Sequence, residues 1–208
     1  MVGVPRWPAV VVLIGIGLLL AVVSSRLTVG PPLLPLVVIL VLAVLIVIAI
    51  VLDLHDWRRR FVLIGLGTVT VAVAGSAVIL VQQLVGDVAP EPATLLSGAA
   101  AIWVANVLTF ALWYWEVDGG GPTERRRDGH KSTDLLFPQL QIGDGTSRDG
   151  WWPGFVDYLF VAFTASSAFS PTDTLVLSRR VKGLMMVQTL ISMVTIVVIA
   201  ARAINTLR

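Results

Sequence analysis

FVDYLFVAFTASSAFSPTDTLVLSRRVKGLMMVQTLISMVTIVVIAARAINTLR, residues 155–208, is the stretch on which the architecture turns. It opens with a short apolar segment and bends at Ser170-Pro171-Thr172-Asp173. A basic collar of Arg179, Arg180 and Lys182 follows, and then a long apolar run over residues 183–204. The segment between Gly154 and the bend has room for a helix over residues 155–168, about 21 Å at 1.5 Å per residue. A hydrocarbon core is about 30 Å thick, so this helix falls short of a crossing and fits a segment that enters and returns. Irregular backbone at membrane depth requires protein or water to satisfy its polar groups. Ser166, Ser167, Ser170, Thr172, Asp173 and Thr174 supply hydroxyls and a carboxylate for such a lining. The alternative is a full crossing that ends at Pro171.

The run after the collar carries Gln188, Ser192, Thr195 and Arg202 at spacings of four, three and seven. At 100° per residue they occupy an arc of about 80° on one helix face. A polar stripe on an otherwise apolar membrane helix faces a bundle interior or an aqueous path.

Outward from this unit the chain is a series of apolar runs. It is 56% hydrophobic and only 13% charged, against about 25% charged in soluble domains. The hydrophobic residues fall in runs of about 18 or more, the length that crosses a bilayer. The first run, residues 7–23, exceeds the usual apolar core of a signal peptide and lacks a clear cleavage site, so a retained helix is expected. A proline-rich turn over residues 26–35 separates it from a second helix, 36–52, built almost wholly of Val, Ile and Leu. Asp53-Leu54-His55-Asp56-Trp57-Arg58-Arg59-Arg60 holds three candidate metal ligands, Asp53, His55 and Asp56, within four residues, but the stretch fits an interfacial loop with lipid-facing arginines better. A third helix, 61–85, is rich in small residues suited to close packing in lipid. A fourth, 94–115, carries Asn106 at mid-depth and ends in the aromatic anchor Trp113-Tyr114-Trp115.

Residues 117–150 form the one extended polar segment. They contain the Gly119-Gly120-Gly121 run, three consecutive arginines, His130, and an apolar patch, Leu135-Leu136-Phe137-Pro138, expected to rest on the helices or the membrane surface. The chain thus divides into a four-helix transmembrane region (1–117), a polar extramembrane loop (118–150) and the terminal pore-like unit (151–208). No nucleophile elbow, phosphate-binding glycine loop or His-Glu-x-x-His helix is present, so no enzyme activity, cofactor or metal site is expected. The formal charge of +2 and the lack of a basic, aromatic-interleaved patch argue against nucleic acid as a partner. With no cysteine, disulfides and thiol chemistry are excluded.

From Val156 onward the residues resemble the two-helix pore module of potassium channels. Phe163-Thr164 fall on that family's Phe-Thr pair, Ser167-Ala168 on its Thr-Thr, and Phe169-Ser170-Pro171-Thr172-Asp173 on the filter proper. Ala201-Arg202 fall on the Ala-Arg near the end of its inner helix, and Ser192 on the usual hinge glycine. The resemblance covers about a quarter of the chain. It implies a homo-oligomer, as a tetramer, with Thr164, Ser166, Ser167, Phe169, Ser170, Pro171, Thr172 and Asp173 at a filter-like bend. Gln188, Ser192, Thr195 and Arg202 would lie along the pore-lining helix. The bend departs from the family where selectivity is made. A potassium filter needs glycines to aim its carbonyl rings; here Ser170 and Thr172 replace both glycines, and Pro171 fixes φ and removes a donor. A wider, hydrated and less selective path is therefore expected. The unit is also similar to multi-pass bacterial proteins with the same Ser-Pro-Thr-Asp bend, which carry no assigned activity across.

Charge placement pulls against the channel orientation. With five crossings, putting residues 117–182 outside leaves all but three of the 15 Lys and Arg residues outside, the reverse of the positive-inside bias. Either the unit is inverted, or residues 151–169 cross fully, or the bias fails. The expectation from sequence is an all-α, multi-pass helical bundle in the cell membrane, with five crossings plus a re-entrant pore-like helix, the alternative being six crossings. Its expected partners are the lipid bilayer, further copies of itself and small ions.

Overall fold

The computed structural model describes residues 7–27, 55–86, 91–126, 133–141, 151–171 and 173–206, together with Val37, Val41 and Val44. Its elements are α1 (Trp7–Leu27), α2 (His55–Val85), α3 (Pro92–Val117), β1 (Leu135–Leu136), α4 (Pro138–Gln141), α5 (Phe155–Ser167), β2 (Leu175–Val176) and α6 (Arg179–Thr206). Most of the expected second helix, 36–52, lies outside the described residues, as does Asp53. Val37, Val41 and Val44 are helical and exposed, at the i, i+4, i+7 spacing of one helix face. Among the described residues, three helical stretches are long and apolar enough to cross a membrane: Arg59–Val85, Pro92–Gly120 and Arg179–Arg202.

Two helices begin earlier than the hydropathy pattern places them. α2 takes in Trp57 and the three arginines, and α6 takes in the basic collar. Arginine and lysine are good helix formers whose charge does not break the backbone ladder. Ser178 starts α6 by accepting the Val181 amide on its hydroxyl at 3.3 Å, the usual N-cap arrangement. α5 starts in a related way, with the Gly154 amide donating to the Asp157 carboxylate at 2.7 Å.

α3 is the hub, packed against α1, α2, α5 and α6. Its inward residues, among them Leu95, Ile102, Phe110 and Tyr114, are fully buried. α2 and α6 instead keep exposed apolar faces, such as Ile64, Val71 and Val78 on the first and Met186, Leu190, Met193 and Val197 on the second. Those faces match a lipid surround rather than water, because their apolar residues repeat at helical spacing, and Thr68, the exposed polar residue between Ile64 and Val71, turns its hydroxyl back to the Ile64 carbonyl at 3.0 Å. The Trp113 indole donates to Thr70 Oγ1 at 2.9 Å. With so short a link between them, the two packed helices α2 and α3 run antiparallel.

The described parts of the polar segment after α3, residues 118–126 and 133–141, are folded against the helices. Gly119, Gly120 and Gly121 all have positive φ, at 56°, 84° and 105°, a run that only glycine adopts without strain. The Gly119 amide donates to Asp134, next to which β1 pairs antiparallel with β2, Leu135 opposite Val176 and Leu136 opposite Leu175. The apolar patch is buried at Leu135 and Phe137, with the Phe137 ring edge-on to Trp151 and Tyr158 at centroid distances of 5.9 and 5.3 Å. A Cβ at Gly121 would sit 3.2 Å from the Glu116 carbonyl oxygen as well as carrying the positive φ. Gly121→Ala is therefore expected to cost about 1–3 kcal/mol, read as a lowered thermal midpoint in detergent.

Candidate functional site

The terminal unit is built from α5, the bend, β2 and α6, and its contacts fix how these run. Tyr158, in the first turn of α5, donates its hydroxyl to Asp118 at the end of α3 at 2.6 Å. Trp115 and Phe155 meet edge to face at 5.7 Å, and so do Trp103 and Phe163. α5 thus runs antiparallel to α3. On α6, Trp103 donates to Ser192 at 3.0 Å and Asn106 Nδ2 to the Gln188 carbonyl at 3.1 Å, so α6 is antiparallel to α3 as well. α5 and α6 are therefore parallel to each other, and both begin at the Asp118 end of the bundle.

Two polar clusters hold this arrangement. The inner one centres on Gln188, which is fully buried. Its amide donates to the Ala162 carbonyl at 2.7 Å and to Ser166 Oγ at 2.8 Å, and its oxygen accepts the Tyr114 hydroxyl. One turn on, Ser192 donates to the Ser166 carbonyl at 2.5 Å. Thr195, also fully buried, bonds to the Ile191 and Ser192 carbonyls of its own helix. The stripe on α6 thus faces the bundle interior, where Ser166, Gln188 and Ser192 are brought together. Arg202 lies on the same helix, half-buried and towards the other end.

The outer cluster is not legible in the sequence as a site. Asp118 is buried and collects the Tyr158 hydroxyl, the Asp134 and Leu135 amides at 2.7 and 3.0 Å, and the Thr133 hydroxyl at 3.1 Å. Arg125 donates to the Trp115 and Asp118 carbonyls at 2.7 and 2.6 Å and lies 5.0 Å from the Tyr158 ring centroid. Asp134 accepts the Gly119 amide at 2.9 Å and pairs with both prongs of the Arg180 guanidinium fork, Nε at 2.8 Å. Only the adjoining glycine run hints that Asp118 sits at a built turn, since Arg125 reaches the Asp118 carbonyl across 7 positions and Arg180 the Asp134 carboxylate across 46.

The bend itself is the exposed part. Thr164 is buried and bonds to the Phe160 and Val161 carbonyls. Ser167, Phe169, Ser170 and Asp173 are exposed, and Pro171 is half-buried; Thr172 lies outside the described residues. Phe169 has φ 56°, the left-handed position after a helix end that glycine normally takes. Among the described residues no three His, Asp or Glu side chains are grouped as a metal site would need. Comparison with known proteins returns no family model, no curated protein and no solved structure that matches the chain.

Replacing Gln188 by Leu keeps the helix but leaves the Tyr114 hydroxyl and Ser166 without their buried partner. A loss of about 1–3 kcal/mol is expected, seen as a lower unfolding midpoint in detergent, with α-helical circular dichroism unchanged at low temperature. At the outer cluster, burial by itself would raise the Asp134 carboxyl. The bonds from Arg180, Ser178 and the Gly119 amide, with the Arg180 charge, outweigh it and hold the carboxyl below its ordinary value. A carboxyl depressed in the folded state contributes stability that is fully present above its unfolded pKa, about 3.9, and is lost as pH falls through the folded value. Thermal midpoints taken from about pH 7 down to about pH 3 should therefore drop at the acid end, and Asp134→Asn should remove part of that drop.

Proposed function

We propose that the chain is a multi-pass protein of the cell membrane whose last quarter is a re-entrant hairpin, and that copies of it assemble around that hairpin. In this reading the oligomer, as a tetramer, passes small ions without potassium-type selectivity. The observation that carries it is the common starting end of α5 and α6. Ser166 is bonded to Gln188 and Ser192, and Ser192 lies twelve residues beyond Arg180, about 18 Å along the helix. The chain then returns, so that Leu177 donates its amide to the Asp134 carbonyl at 2.9 Å, back beside Arg180. An α5 of 13 residues fits a segment that stops part-way through a ~30 Å core.

The elbow after α5 is non-helical and exposed on the chain's own surface. Backbone of that kind is not left facing lipid; neighbouring protein or water must cover it. A ring of copies supplies both. Because Ser166, Gln188 and Ser192 are fully buried, the polar lining in this reading falls to the exposed Ser167, Ser170 and Asp173. An Asp173 carboxylate from each copy favours cations.

A second reading is a non-conducting membrane partner or scaffold. What favours it is that the polar stripe of α6 is used up in internal packing, while Met186, Leu190, Met193 and Val197 give the helix an exposed apolar face. Purified protein in planar bilayers separates the two. The channel reading expects cation-preferring currents whose reversal potential moves towards zero in Asp173→Asn, with a light-scattering mass several times that of one chain. A monomer without currents sinks it and leaves the scaffold.

A further inference from the structure

We infer that the hairpin opens to the cytoplasm, so that the elbow at Ser170 is reached from the inner face and the unit is inverted relative to the potassium-channel arrangement. The inference rests on the re-entrant reading above and adds its direction. The folded chain places its cations unevenly. The first turns of α2 carry Arg59 and Arg60, the turns after α3 carry Arg125 and Arg126, and the start of α6 carries Arg179, Arg180 and Lys182. The antiparallel packing of α2 and α6 on α3 gathers all of these at the Asp118 end. At their opposite ends, α2, α3 and α6 carry Arg202 alone among the described Lys and Arg residues, and Gln82 and Glu91 are exposed there.

Basic residues close to membrane-spanning ends are retained on the cytoplasmic side, where anionic headgroups attract them. Of the seven cations at the Asp118 end, Arg59, Arg60, Arg126, Arg179, Arg180 and Lys182 are exposed, a rim suited to that leaflet. Trp152, Leu175 and Leu177 are exposed at the same end, an apolar and aromatic complement at headgroup level. Sequence alone leaves three ways out of the conflict between the charge bias and a pore-like unit. Since α5 and α6 both start among the cations, turning the unit over keeps the hairpin and the bias together.

Freedom from cysteine makes the test direct. Single cysteines replace Glu91, Gln139, Ser170 and Lys182, all exposed, and a membrane-impermeant maleimide is applied to intact cells and to inside-out vesicles. The expected result is labelling of Glu91→Cys in cells, and of Gln139→Cys, Lys182→Cys and, more slowly, Ser170→Cys in inside-out vesicles only. Labelling of Gln139→Cys and Lys182→Cys in intact cells overturns the inverted direction while leaving the hairpin standing. Labelling of those two from opposite faces overturns the hairpin itself. A Ser170→Cys that labels from the outer face, or from neither, overturns access from the cytoplasm.

Discussion

A buried amide with every bond made is the constraint on which the terminal unit depends. Gln188 has no water to turn to, and leaving its donors and acceptor unmet inside an apolar bundle costs far more than any one bond returns. Its partners sit on two other helices, Tyr114 on α3 and Ala162 with Ser166 on α5. Satisfying them fixes the height and rotation of α6 against both. Hydrophobic contact by itself is non-directional and would allow the helices to slide. The amide does not.

The outer cluster complements this at the end of the bundle. Asp118 and Asp134 are each held by backbone amides as well as by side chains, so the polar segment is tied to α5 through Tyr158 and to α6 through Arg180. The two clusters pin the terminal unit at its rim and near its elbow. Between them the inner face of α5, Val161, Ala162 and Ala165, is buried, and its outward face, Val156, Phe160 and Phe163, remains exposed. The elbow lies beyond both clusters, and there Phe169 takes a backbone conformation that a bulky side chain rarely adopts. Strain of this kind persists where the surroundings impose it.

Much of this arrangement is legible in the sequence. The shortness of residues 155–168 follows from Gly154 and Pro171, and α5 ends at Ser167, where that spacing places it. The apolar patch at Leu135-Leu136-Phe137 stands out as an interruption in polar sequence. The stripe of Gln188, Ser192 and Thr195 is visible from its spacing, but periodicity says only that a face is polar. Whether it meets water or other helices depends on partners such as Tyr114 and Ser166, which lie 74 and 22 positions away. Hydropathy places two helix starts too late, because it registers the charge of Arg58-Arg59-Arg60 and Arg179-Arg180 and not their good helix propensity.

By itself the sequence determined the class of the protein, several apolar helices with a short polar-tipped one near the end, because hydrocarbon thickness converts directly into residue counts. It also determined that the bend carries a proline and no glycine, which are local facts of backbone geometry. Only the tertiary structure decided that the α6 stripe is internal, that Asp118 and Asp134 clamp the rim, and that α5 and α6 begin at one end among the cations. These are relations between residues far apart in the chain, and no local pattern encodes them.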